Sequence, residues 1–155
     1  VKIAVITVSD RASKGIYEDL SGPAIEKVFT EQCAGALIVR EIVSDGVEPV
    51  LSALARHTDA DWVITTGGTG PSPRDLTPEA TVRYCDRLMP GISEFLRAKS
   101  LEQTPFAVFS RGVAGMKGFQ YVVNFPGSVK AAVFHAELLV PLLEHGTAMA
   151  LGKGH

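Results

Sequence analysis

Residues 2–8 (KIAVITV) form a nearly continuous apolar run rich in β-branched side chains, the pattern of a strand covered on both faces. Ser21-Gly22-Pro23 interrupts the chain, and Ala24, Ile25, Val28 and Phe29 then recur at spacings of one and three, which predicts a helix over 23–32. A second strand follows Gly35 over 36–43. Asp45-Gly46-Val47-Glu48 opens another helix, with Val50, Leu51, Leu54 and Ala55 on its apolar face, before a third strand over 61–66. Thr77-Pro78 predicts a helix over 78–88, capped by Thr77 and stopped before Pro90, and a further helix over 92–101. Strands are expected at 106–109 and 120–124, framing the segment 110–118, with a last helix over 128–143.

Strands that alternate with helices in this way imply right-handed crossovers and a parallel sheet, with ligands beyond the carboxyl ends of the strands. The expected class is α/β, a three-layer sandwich with a mostly parallel central sheet flanked by helices. A length of 155 residues, 46% of them hydrophobic, suits one domain over 1–155 with a full core.

Composition narrows the function. A formal charge of -2 and a pI near 6.1 supply no basic field for nucleic acid, so an anionic ligand must be held locally. Cys33 and Cys85 have no CxxC spacing and read as reduced thiols. The opening apolar run is too short for a membrane span and lacks a signal-peptide cleavage pattern, so a cytoplasmic protein with no membrane partner is expected. His57, His135, His145 and His155 lie scattered and receive no chemistry; Trp62 and the methionines read as packing residues.

The sharpest local signal is WVITTGGTG, where a strand runs straight into Gly67, Gly68, Thr69 and Gly70. Glycine permits positive φ and close approach of backbone N–H groups to an anion, although a tight strand-to-loop turn needs the same residues. No lysine follows, so this is not a Walker A loop. Asp75, five residues further on, reads as a Mg²⁺ ligand or as an exposed loop acid. Asp45 falls on the same sheet edge and can share the metal or, with Glu48, form a capping box. Arg74 and the loop Ser9-Asp10-Arg11-Ala12-Ser13-Lys14-Gly15 place cations there, to neutralise phosphate or simply to face solvent. Ser110-Arg111 repeats that pattern, and Gly127-Ser128 puts backbone N–H groups and a helix dipole at a loop mouth, or an ordinary helix start.

SDRAS-K-G, TTGGTGPSPRDLTPEAT, SR-VAG and NFPGSVKA, in that order over nearly the whole chain, resemble the molybdenum-cofactor biosynthesis family that includes bacterial molybdopterin adenylyltransferase and the gephyrin G domain. The resemblance implies Mg²⁺-dependent adenylylation of molybdopterin, with ATP as co-substrate and pyrophosphate as the second product. It assigns Asp45 and Asp75 to the essential acidic, metal-holding positions and Gly67, Gly68, Thr69 and Gly70 to the nucleotide phosphates. Ser110 and Gly115 would flank the nucleotide, and Ser9, Arg11, Ser128 and Lys130 would hold the pterin phosphate. It further implies a homotrimer that passes its product to a molybdate-insertion enzyme; surplus apolar surface at Ile92, Phe95 and Leu96 and over 133–143 would suit a subunit interface. The alternative is a non-catalytic molybdopterin-binding paralogue of the same fold.

Overall fold

The computed structural model describes residues 1–153, so His155 lies outside the described residues. The element order is β1 (Lys2–Val8), α1 (Asp10–Ser13), α2 (Ser21–Gln32), β2 (Leu37–Val43), α3 (Val47–Arg56), β3 (Trp62–Thr66), α4 (Thr77–Tyr84), β4 (Arg87–Leu88) and α5 (Pro90–Leu101). A 3₁₀ turn (Pro105–Phe109), β5 (Ala114–Lys117), β6 (Gln120–Phe125) and α6 (Val129–Ala150) complete it. The six strands form one sheet in the order β2-β1-β3-β6-β5-β4. β1 pairs in parallel with β2 and β3, and β3 with β6, whereas β5 runs antiparallel to β6 and β4.

Strand alternation sends β1 side chains to both faces, so Ile3 and Val5 join one core while Ala4, Ile6 and Val8 join the other. The first core packs Ile25, Val28 and Phe29 of α2, Leu96 of α5 and Ala132, Ala136, Leu139 and Leu143 of α6 against the sheet. The second packs Val50, Ala53 and Leu54 of α3 and Ala80 of α4. Two buried cores on a shared sheet make the expected three layers, and explain why the inner strands carry no polar alternation. Leu139 and Leu143 are core residues, and Ile92, Phe95, Val133 and Leu138 pack against that core. Much of the apolar surface assigned to a subunit interface is therefore used within the chain.

Several boundaries depart from the sequence reading. Residues 106–109 are not a strand: Thr104 accepts a hydrogen bond from Phe106 N–H and Pro105 fixes the next φ, which starts a 3₁₀ turn with Phe106 76% exposed. The antiparallel partner of β6 is β5, inside the supposed connecting segment, reached through a turn with Gly118 at φ 59°. Helix α4 stops at Tyr84, because Asp86 and Met89 donate their N–H groups to Met116 and Ala114 of β5 instead. Helix α6 runs past 143 to Ala150 despite Pro141. Its last turns are held by Trp62, whose indole N–H donates to Thr147 Oγ1 at 2.8 Å and whose ring lies against Gly146, where a Cβ would stand 2.9 Å from it. Among the described residues no helix is long and apolar enough to cross a membrane.

Candidate active site

The parallel strands β1, β2, β3 and β6 deliver their carboxyl ends to one edge of the sheet. β1 has β2 on one side and β3 on the other, so the two crossovers part at β1 and leave a crevice there. A cavity of about 420 Å³ opens in it, lined by Thr7, Val8 and Ser9 after β1, Asp45 after β2, Thr66, Gly67 and Gly68 after β3, Asp75, and Gly127 and Ser128 after β6. Tyr17 and Asp19 close its other side.

The glycine turn is shaped by close packing. Gly67 and Gly68 take φ of 103° and 69°; a Cβ on Gly67 would strike the Val8 carbonyl, and one on Gly68 the Thr77 hydroxyl. Thr77 is the first residue of α4 rather than its cap: its hydroxyl donates to Gly67 O at 2.9 Å and its N–H to Gly68 O at 3.1 Å. Gly127 approaches the same turn from β6, a Cβ there standing 3.2 Å from Gly67 Cα. The packing therefore accounts for the tight-turn reading of this segment, with the Gly67 N–H already donated to Phe125 O at 3.2 Å.

Asp45 does not cap α3. The N-cap is Gly46, with no side-chain bond, and the Asp45 carboxylate instead faces Asp10. Burial, followed by the charge of Asp10 and then of Asp75, pushes the Asp45 carboxyl above its usual range. Asp75 is held by its loop: Oδ2 accepts Ser72 N–H at 3.1 Å, and its own N–H donates to Ser72 O at 2.9 Å. Like charges crowded enough to raise a pKa are what a cation would relieve, and magnesium takes one or two carboxylates and completes its shell with phosphate and water. The residues present fit such an ion, while among the described residues no cluster of three or more His, Cys, Asp or Glu could bind a metal unaided.

A second cavity, of about 290 Å³, lies beyond the turn and is lined by Thr69, Gly70, Ser110 and Ser128 together with Leu96, Phe106, Phe109 and His135. Ser128 touches both cavities. It is the N-cap of the 22-residue α6 and makes no side-chain cap bond, so the positive end of that helix dipole lies at the crevice. Burial pushes the His135 imidazole pKa down, and its Nδ1 lies 2.8 Å from Ala131 O.

Of the residues singled out from sequence, Ser9, Asp45, Gly67, Gly68, Asp75 and Ser128 thus meet at one cavity and Thr69, Gly70, Ser110 and Ser128 at the other. Arg11 and Lys130 are exposed and line neither. Gly115 lies in β5, where a Cβ would stand 2.9 Å from Arg87 O and Cys85 Sγ; its smallness serves packing. Arg111 is not an open anion ligand, since its guanidinium is engaged by Gly70 O, Asp75 O and Glu79. Arg97, which also lines the second cavity, escaped sequence reading, and His135 reads from sequence as carrying no chemistry, because single residues on predicted helices carry no spacing signal. Asp10 stood in a motif but gave no sign of reaching Asp45.

Comparison with known proteins shows the family and the fold. Residues 4–145 match the family model described as "Probable molybdopterin binding domain". The chain is 41% identical to the molybdopterin adenylyltransferase of Helicobacter pylori, covering 99% of this chain and 89% of that one. It is 36% identical to the Escherichia coli molybdopterin adenylyltransferase, covering 84% and 69% respectively. It superposes on a solved MogA structure with a TM-score of 0.90, at 34% identity and 97% and 99% coverage. On the Thermus thermophilus molybdopterin biosynthesis enzyme MoaB the TM-score is 0.86, at 37% identity and 98% and 97% coverage. Matched along most of its length by the family model and by relatives above 30% identity, the chain belongs to the molybdenum-cofactor biosynthesis family.

Proposed function

We propose that this protein is a molybdopterin adenylyltransferase, in which the terminal phosphate of molybdopterin attacks the α-phosphorus of ATP. The new P–O bond forms as the bond from the α-phosphorus to the bridging oxygen breaks, and pyrophosphate leaves. The observation that carries the reading is the meeting of Asp45, Asp75 and the Gly67-Gly68 turn at one cavity on the carboxyl edge of the sheet. Such a transfer needs alignment and charge neutralisation more than a protein nucleophile, and this site offers carboxylates, a close-packed glycine turn and a helix N-terminus.

Asp45 and Asp75 would hold Mg²⁺, which when bound supplies positive charge to the phosphate oxygens. The turn and the neighbouring α6 N-terminus would orient phosphates in the crevice, with Ser9 and Ser128 donating hydroxyls. Arg11 and Lys130, each two residues from one of those serines, are exposed cations available to phosphate. Ser110, with Thr69 and Gly70, would seat a ring system in the more apolar second cavity. Gly115 would act only by letting β5 pack behind it. We further propose a homotrimer with one site per subunit, working in the cytoplasm and passing its product to a molybdate-insertion enzyme; Phe106, Val108 and Phe109 are exposed apolar residues available for subunit contact.

The decisive test mixes purified protein with molybdopterin and Mg-ATP. Pyrophosphate release stoichiometric with adenylylated pterin is expected. Pterin binding without release would instead establish the non-catalytic paralogue. Light scattering at micromolar concentration tests the trimer, and a monomer mass would refute it without touching the site.

A further inference from the structure

Arg111 stands immediately after Ser110 and ties together pieces that sequence leaves far apart. Its Nε donates to Gly70 O at 3.0 Å and one terminal nitrogen donates to Asp75 O at 2.6 Å. The two terminal nitrogens also engage the Glu79 carboxylate, in the first turn of α4, at 2.7 and 3.0 Å. Its backbone N–H donates to Thr69 O at 2.8 Å, and Arg97 holds the neighbouring Ser110 and Gly112 carbonyls at 3.1 and 2.6 Å. The loop 70–75 thus has both ends pinned by one planar group, itself oriented by a bidentate carboxylate.

That loop is the partition between the two cavities: Gly70 and Pro71 line the apolar one, Asp75 the acidic one. Between Gly70 and Asp75 there is little slack, since a Cβ on Gly70 would stand 2.9 Å from Asp75 Oδ2. We propose that Arg111 is a positioning residue, whose guanidinium fixes the 70–75 loop and through it sets the Asp75 carboxylate against the glycine turn. This rests on the adenylyltransferase reading for its catalytic consequence, but not for its effect on the loop.

Magnitudes separate positioning from plain stability. The Arg111 and Glu79 side chains are 40% and 46% exposed, and exposed ion pairs add little to folding free energy. Displacing a metal-holding carboxylate by even an ångström, by contrast, costs a phosphoryl-type reaction about 10- to 100-fold. Lysine is the informative replacement, because it keeps the charge and loses the fork.

The test compares wild type, Arg111→Lys, Arg111→Met and Glu79→Gln by hydrogen exchange over 70–76, Mn²⁺ affinity in the presence of ATP, thermal melting and pyrophosphate release. Both Arg111 variants should exchange faster at 70–76, bind Mn²⁺ more weakly and lose about 10- to 100-fold in kcat, with Tm changed by only a few degrees. Glu79→Gln should fall between. Unchanged exchange in Arg111→Met overturns the proposal, as does a loosened loop with unaltered Mn²⁺ affinity and kcat. An Arg111→Lys protein that matches wild type overturns it too, since charge alone would then suffice. Should wild type release no pyrophosphate, the adenylyltransferase reading falls, and loop exchange with Mn²⁺ affinity still decides the role of Arg111.

Discussion

Asp10 and Asp45 hold one another through the backbone: the Asp45 N–H donates to Asp10 Oδ1 at 2.9 Å, and the Asp10 N–H reaches Asp45 Oδ2 at 3.4 Å. The exchange locks the chain just beyond β1 to the chain just beyond β2. It also sets two carboxylates face to face at the crevice, at an electrostatic cost.

That cost is measurable. The folded-state pKa of Asp45 lies above its unfolded value, so the folded chain binds this proton more tightly, and stability falls as pH rises from the unfolded towards the folded pKa. Asp45→Asn keeps an oxygen acceptor for the Asp10 N–H and removes the charge. It should melt higher than wild type near pH 7 and lose that advantage in acid. Melting curves from pH 3 to 8 check this, and a Mg²⁺ titration should stabilise wild type but not the variant. Adenylyl transfer should fall at least about 100-fold, a stability-for-function exchange typical of crowded active-site acids.

Asp75→Asn should leave the loop folded, because the amide oxygen can still accept from Ser72 N–H. The lost charge should reduce transfer by about 100-fold or more at saturating Mg²⁺, with Tm within a few degrees of wild type. Near-normal turnover would remove Asp75 from the metal-holding role.

The glycines should separate into two kinds. Gly68→Ala meets both a positive φ and the Thr77 hydroxyl that bonds Gly67 O, so soluble folded protein should drop sharply. Gly70→Ala has no positive φ, and its new methyl meets only the end of the Asp75 side chain. That variant should fold and melt close to wild type yet lose about tenfold or more in turnover. Circular dichroism and pyrophosphate release on the pair tell the two apart.

Asn124, which also lines the second cavity, predicts a loss of stability. Its side-chain amide donates at 2.9 Å to both Thr65 and Thr81 hydroxyls, and its oxygen accepts Val113 N–H at 3.1 Å, joining β3, α4 and the approach to β5. Asn124→Leu strands these buried groups and should cost about 2–4 kcal/mol, readable as a lower midpoint in urea at unchanged m.

By itself the sequence determined the α/β class, the parallel strands and the position of the glycine turn. These are written in local terms: a strand buried on both faces needs consecutive apolar residues, as in 2–8 and 62–66, and a helix on a sheet needs the three-and-four stripe of 25–29. Short elements escaped it. β5 exists because β6 offers it a partner and β4 because β5 does, and residues 106–109 have a strand-like composition but a Thr-Pro start that turns them. The site divided the same way. Asp45, Asp75 and the glycines were legible as residue types at strand ends. Only the tertiary structure decided that Asp45 faces Asp10 rather than capping α3, that Arg111 binds the loop rather than an anion, and that Gly115 serves packing. Each of those outcomes is a contact between residues more than 25 positions apart, and no spacing along the chain encodes which of several feasible partners a side chain meets.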